Sequence, residues 1–177
     1  MKTLLIIDMQ NAWLARAGQP CFDTPGVTAR INRAADRVRS EGGRVIFIQH
    51  ADEDAPVGSP AWDIIAALTV APGDGRVQKT ACDSFGDTDL AAQLQANETD
   101  AVYVCGFATE FCVDTALRAA ASRGLRVIAL SDAHTTANRP HLNADAIVAH
   151  HNWIWANFSA PAGGSLCVQT TAQAFPA

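Results

Sequence analysis

Along the chain, short unbroken apolar runs alternate with stretches whose apolar residues recur at helical spacing. Leu4–Ile7 is such a run, the pattern of a strand buried on both faces. Thr24-Pro25 then offers an N-cap with Pro at the first helical position. Val27, Ile31, Ala34, Ala35 and Val38 follow at helical spacing, and Gly42-Gly43 closes the helix. Arg44–Ile48 reads as a second strand, and the stretch from Ala51 to Pro60, rich in Asp, Pro and Gly, as a loop. A short helix is expected over 61–68 and a short third strand over 76–79. Asp87-Thr88-Asp89 caps a helix through Leu90 and Leu94. Asp100–Cys105 predicts a strand ending at Gly106, and a helix opening near Glu110 carries Val113, Leu117 and Ala121 to a stop at Gly124. Leu125–Leu130 is the next strand, ending at Ser131-Asp132. Beyond Pro140 a helix runs through Ile147, Val148, Ile154 and Trp155, and Leu166–Val168 is a last short strand before a polar tail.

Strands alternating with helices define βαβ units. The expected fold is a three-layer, Rossmann-like α/β domain over residues 1–177, with a mostly parallel sheet of about six strands. The phosphate loops GxGxxG and GxxxxGK[ST] are absent, which removes the main support for a nucleotide fold. Composition adds little, with 49% apolar and 18% charged residues in an ordinary globular balance. A net charge of -5 gives no reason to expect nucleic acid or an anionic membrane as partner. The first apolar run stops at Asp8, too short for a signal peptide, and no later run approaches a membrane span. The five cysteines (Cys21, Cys82, Cys105, Cys112, Cys167) are odd in number and form no CxxC pair. That argues against a disulfide framework and a zinc knuckle, and for reduced thiols in a cytoplasm.

Ligands of open parallel sheets bind at the carboxyl ends of the strands. Three polar or reactive residues fall there: Asp8 closing the first strand, Lys79 closing the third, and Cys112 just beyond Gly106. Taken singly, each has an ordinary alternative: a capping carboxylate, a solvated edge lysine, an inert packed thiol. Together, a strand-end Asp can serve as base and then acid, and an ammonium beside a thiol favours the thiolate. Thr109 is a plausible N-cap, placing Cys112 in a first helical turn where free N–H groups lower a thiol pKa and can bind an oxyanion. The other four cysteines are read as inert packing residues.

Of the histidines, His50 sits at the same sheet edge as Asp8, His134 and His141 flank a loop, and His150 and His151 lie on the late helix. None forms a metal-binding spacing such as HExxH, so no metal and no cofactor are expected. Trp13, Trp62, Phe85 and Phe107, with His50, are candidate walls of a small pocket, though each aromatic is also an ordinary core candidate. Trp153 and Trp155 suit helix packing or a subunit interface.

The ordered set Leu5-Ile6-Ile7-Asp8-Met9-Gln10, Lys79, Ser84-Phe85, Thr88-Asp89-Leu90, Gly106 through Val113, and Ser131-Asp132-Ala133 resembles the isochorismatase-like cysteine hydrolases. The resemblance implies a catalytic triad of Asp8, Lys79 and Cys112. It also implies a cis Phe107–Ala108 peptide and backbone N–H groups of Ala108 and Cys112 aimed at a substrate oxygen. It implies a small-molecule substrate and a homodimer or higher homo-oligomer. In the nicotinamidase subgroup a metal is held after the second strand; the equivalent stretch here, Gln49–Asp54, lacks the paired histidines. The expected reaction is hydrolysis of an amide or carbamoyl C–N bond through a cysteine thioester. The alternatives are vinyl-ether hydrolysis with Asp8 as acid, and a non-catalytic binding or redox module with an exposed thiol.

Overall fold

The computed structural model describes residues 1–14 and 20–176. Six strands form one sheet: β1 (Lys2–Ile7), β2 (Arg44–His50), β3 (Gly75–Lys79), β4 (Ala101–Phe107), β5 (Arg126–Thr135) and β6 (Ser165–Gln169). Every pairing is parallel, in the order β3-β2-β1-β4-β5-β6. The helices are α1 (Asn11–Leu14), α2 (Thr24–Ser40), α3 (Leu90–Ala96), α4 (Asp114–Ser122), α5 (Ala144–Ala156) and α6 (Thr171–Ala174), with a π-helical turn over Thr109–Val113 ahead of α4. The three-layer α/β fold is the one the alternation predicts.

Alternate residues of each strand serve opposite layers. Leu4, Ile6, Val45, Phe47, Tyr103 and Cys105 meet Val27, Ile31, Ala34, Ala35 and Val38 of α2. Leu5, Ile7, Ile46, Ile48, Val102 and Val104 meet Leu90 and Leu94 of α3, Leu117 and Ala121 of α4, and Trp155 of α5. Packing rather than capping holds these helices. Asp23, Asp89 and Asn143 at the N-caps of α2, α3 and α5 make no side-chain cap bond. Each fully buried Leu or Ile contributes about 1.5–3 kcal/mol, against about 1 for a cap.

Several boundaries differ from expectation. Asp23, not Thr24, is the N-cap of α2, and it sits in the left-handed region. Residues 61–68 form turns instead of a helix, because Gln10 bridges Ile64 and the Asn11, Ala12 and Ile65 amides bond across this segment. Strand β5 runs past Ser131 to Thr135, its register with β4 shifting between Val104 and Gly106. The polar tail contains α6, closed by a Thr170–Gln173 capping box, and beyond it Phe175 packs on Tyr103 with ring centroids 4.8 Å apart. Trp155 is wholly buried, so it belongs to the core rather than to an interface, while Trp153 on the same helix is exposed. Among the described residues no helix is long and apolar enough to cross a membrane.

The strand order reverses between β1 and β4, and the crevice beyond their carboxyl ends is the switch point of the fold. Gly106 makes their close approach possible. Its φ is +117°, and a Cβ there would lie 2.1 Å from the Ile7 carbonyl oxygen.

Candidate active site

Each of the three sequence-predicted reactive residues leaves a different strand at this crevice. Asp8 follows β1 directly with φ 48°, a left-handed turn that Asp tolerates better than most residues. Its backbone N–H donates to the Ile48 carbonyl at 2.9 Å. Lys79 ends β3 in register with His50 of β2. Cys112 lies in the π-helical turn after β4. The Phe107–Ala108 peptide is cis, as the resemblance implies.

The Lys79 ammonium joins the other two. Its Nζ donates to Asp8 Oδ2 at 2.7 Å and to Cys112 Sγ at 3.2 Å. The Ala81 carbonyl lies at 3.1 Å and His50 Nδ1 at 3.3 Å. An ammonium has no lone pair, so His50 Nδ1 is an acceptor here, and the ring's other nitrogen lies 3.4 Å from Asp52 Oδ2. The Lys79 side chain is fully enclosed and Asp8 is 2% exposed, so this ion pair is screened from water. Asp8 Oδ1 is buried and has no partner within the described protein.

The electrostatics correct one expectation. Burial pushes the Cys112 thiol up, the nearby Asp8 adds to the shift, and the Lys79 ammonium opposes it without prevailing. Burial and Asp8 thus favour the protonated thiol, where a helix N-terminus alone predicts a lowered thiol pKa. Burial likewise raises the Asp8 carboxyl above its ordinary value, Lys79, Cys112 and His50 offsetting only part of it. For Lys79 burial works against the charge, but Asp8 and Cys112 outweigh it and hold the ammonium above its usual value.

The predicted N-cap role of Thr109 is also replaced. Ala108 is the N-cap, its carbonyl accepting from the Phe111 and Val113 N–H groups at 3.1 Å each. The Thr109 hydroxyl instead meets His134 Nδ1 at 2.8 Å. His134 is the penultimate residue of β5, beside the loop that follows, and is buried.

Of the candidate pocket walls, Trp13 stands edge-on to His50 with centroids 6.0 Å apart. Trp62 is held through its carbonyl, which accepts from the side-chain amides of Gln10 at 2.9 Å and Gln49 at 3.0 Å. Gln10 also clasps the His50 backbone, donating to its carbonyl at 2.9 Å and accepting from its N–H at 2.8 Å. Phe107 is partly buried and packs toward the α2 layer. Phe85 leaves the candidate pocket for the core against α3 and α4, beneath the Arg123 guanidinium at 4.5 Å. Two surface cavities of about 440 and 540 Å³ are lined by neither Asp8, Lys79 nor Cys112. Of the other cysteines, Cys21 and Cys105 are buried as expected, but Cys82 and Cys167 are exposed. Among the described residues no cluster of three His, Cys, Asp or Glu side chains could hold a metal.

The isochorismatase domain matches residues 2–153. The chain belongs to the isochorismatase family. It is 32% identical over 144 residues to a streptothricin hydrolase of Streptomyces noursei, covering 79% of this chain and 51% of that protein. It thus spans about half the length of that relative. A ureidoacrylate amidohydrolase, RutB, of Methylorubrum extorquens is 29% identical over 182 residues, with 81% of this chain and 73% of that one covered. Among solved structures, an isochorismatase family protein superposes with a TM-score of 0.87 at 30% identity, covering 96% of this chain and 98% of the other. A cysteine hydrolase from Pseudomonas syringae shares the fold, with a TM-score of 0.88 at 24% identity over 98% of this chain and 90% of that one.

Proposed function

We propose that this protein hydrolyses an amide or carbamoyl C–N bond of a small molecule, with Cys112 as nucleophile. The observation that carries the reading is the enclosed Lys79 ammonium, bonded at once to the Asp8 carboxylate at 2.7 Å and the Cys112 sulfur at 3.2 Å. Relatives named as a streptothricin hydrolase and an amidohydrolase support the reaction class.

The reaction follows from the protonation states. The thiol starts protonated, so attack requires a base, and Asp8 with its unpartnered Oδ1 is the carboxylate beside it. As the sulfur bonds to the carbonyl carbon, its proton passes to Asp8. The developing oxyanion is held by backbone N–H groups of the turn, those of Ala108 and Cys112. Collapse of the tetrahedral adduct breaks the C–N bond, and Asp8 returns the proton to the leaving nitrogen, giving ammonia or an amine and a thioester. Asp8 then takes a proton from water as the water attacks the thioester. Release of the acid restores the thiol by the same proton. Burial raises Asp8, which suits a carboxyl that must alternate between base and acid. Lys79 remains an ammonium throughout and balances whichever neighbour carries the negative charge.

An ammonia-release screen over small amides, carbamoyl compounds and hydrazides tests the reading. Turnover of at least one member that vanishes in Cys112→Ala supports it. Full turnover in Cys112→Ala overturns it and points to acid catalysis by Asp8, for which isochorismate with pyruvate detection is the direct assay.

A further inference from the structure

The turn bearing Cys112 is tied at both ends to helix α5, through residues that the triad does not use. At its start, the Thr109 hydroxyl meets His134 Nδ1 at 2.8 Å. His134 Nε2 meets Asn152 Oδ1 of α5 at 3.1 Å, and Asn152 Nδ2 donates to the Ser131 carbonyl at 2.9 Å. That last bond fixes every proton in the chain. A carbonyl only accepts, so the Asn152 NH₂ must face Ser131 and its oxygen must face His134. His134 Nε2 therefore carries the ring proton, and Nδ1 receives the proton of Thr109.

Just past the turn, Asp114 Oδ1 accepts from the indole N–H of Trp155, also on α5, at 2.8 Å. The two ties are joined, because the His134 and Trp155 rings meet edge to face with centroids 4.9 Å apart. Thr109 and Trp155 are fully buried and His134 is 2% exposed. The Thr109–His134 bond is buried on both sides, and losing it or the bond from the Trp155 indole leaves a buried polar group unpaired. Cys112 lies between the two anchor points, residues 109 and 114.

We propose that His134 and Trp155 are positioning residues that hold the Cys112 turn in its reactive place, with α5 as their support. The inference rests on the reading of Cys112 as nucleophile, but what it states is mechanical: the ties keep the part-buried sulfur against Asp8 and Lys79. Releasing either tie lets the turn move outward. The sulfur then becomes more accessible and loses the burial that keeps its proton on. Both changes accelerate alkylation, while turnover falls because the sulfur has left Asp8.

The test is iodoacetamide alkylation of the full chain at pH 8, followed thiol by thiol by peptide mass spectrometry. Cys105 is the internal control, since it is wholly buried in β4 just before the turn. Thr109→Val removes the hydroxyl at nearly constant volume, and Thr109→Ser retains it. Trp155→Phe removes the indole N–H and retains a ring against His134. The expected result is Cys112 alkylation about tenfold faster in Thr109→Val and in Trp155→Phe, the scale of one buried hydrogen bond. Thr109→Ser stays within about twofold of the parent, and Cys105 stays protected in every variant. Equal rates for the Val and Ser variants overturn the proposal, as does Cys105 opening in parallel with Cys112, which marks general loosening. Should Thr109→Val not fold, Trp155→Phe carries the same comparison. Ammonia release that survives Cys112→Ala overturns the nucleophile reading alone and leaves the alkylation result to stand or fall by itself.

Discussion

Replacing Gly106 by alanine strikes the fold and the site at one point. The new Cβ would sit 2.1 Å from the Ile7 oxygen and 2.6 Å from the Ile7 nitrogen. An ordinary contact begins at 3.4 Å, so β1 and β4 must part by 3.4 − 2.1, about 1.3 Å, where Ile7 and Gly106 pair. The atoms met are backbone, with no flexible side chain to swing aside. A φ of +117° adds the strain of a left-handed-side conformation for a residue with a Cβ. That strain costs about 1–3 kcal/mol, and loss of about two hydrogen bonds of the central ladder about 1 kcal/mol more each. The sum is about 3–5 kcal/mol, a large share of the roughly 5–15 kcal/mol that stabilises a domain. Asp8 follows Ile7 directly and the Cys112 turn begins three residues after Gly106, so the shift reaches both reacting groups. Misplacement by about 1 Å is enough to lower turnover by about 100-fold. Urea unfolding followed by circular dichroism measures the first effect, and ammonia release measures the second. A variant within about 1 kcal/mol of the parent, with unchanged turnover, refutes the assignment of Gly106 as the enabling residue of the switch point.

Other outcomes follow from the same geometry. Lys79→Met leaves the Asp8 carboxylate buried without its partner and should cost about 3–5 kcal/mol near pH 7, with part regained on acidification as Asp8 takes a proton; a neutral effect in urea melts contradicts the enclosed ion pair. Burial lowers the His134 pKa from 6.5 to about 4. This neutral histidine therefore contributes stability that is fully present above pH 6.5 and lost as pH falls through about 4, some 3 kcal/mol in all. Urea midpoints at pH 7 and pH 4 should fall less in His134→Gln than in the parent, and parallel losses contradict the assignment. Iodoacetamide at pH 7 should label exposed Cys82 and Cys167 before Cys112, whose raised thiol reacts only as the solution becomes alkaline. Preferential labelling of Cys112 at neutral pH would show a resting thiolate instead.

How far the sequence foretold this molecule depends on the kind of signal. The strands were legible because Leu4–Ile7, Val45–Ile48 and Ala101–Cys105 are unbroken apolar runs, and α2 because its apolar residues from Val27 to Val38 keep one face over about three turns. The segment 61–68 read as a helix because it has apolar residues at plausible spacing, yet backbone bonds from Asn11, Ala12 and the Met9 carbonyl claim it for the site wall. Asp8 and Lys79 fall at strand ends, where the topology makes position informative; Cys112 gained its partners only through the order of motifs. The direction of the thiol's shift was misread because a local helix terminus is visible in sequence, whereas burial beside Asp8 is a tertiary fact. His134 and Asn152 were missed for the same reason. Their link to Thr109 spans three elements and leaves no spacing to find, and Ser131-Asp132 breaks the apolar run before His134, so the continuation of β5 was hidden as well. Phe85 shows the converse error, an aromatic near motif residues that packs into the core.

The central claim is that Cys112 carries the acyl group. With an amide identified by the ammonia-release screen, rapid acid quench followed by intact and peptide mass spectrometry reads it directly. The account predicts an adduct of the acyl mass on the peptide containing Cys112, absent from Cys112→Ala, which also releases no ammonia. Steady turnover with no adduct on that peptide, undiminished in Cys112→Ala, would contradict it.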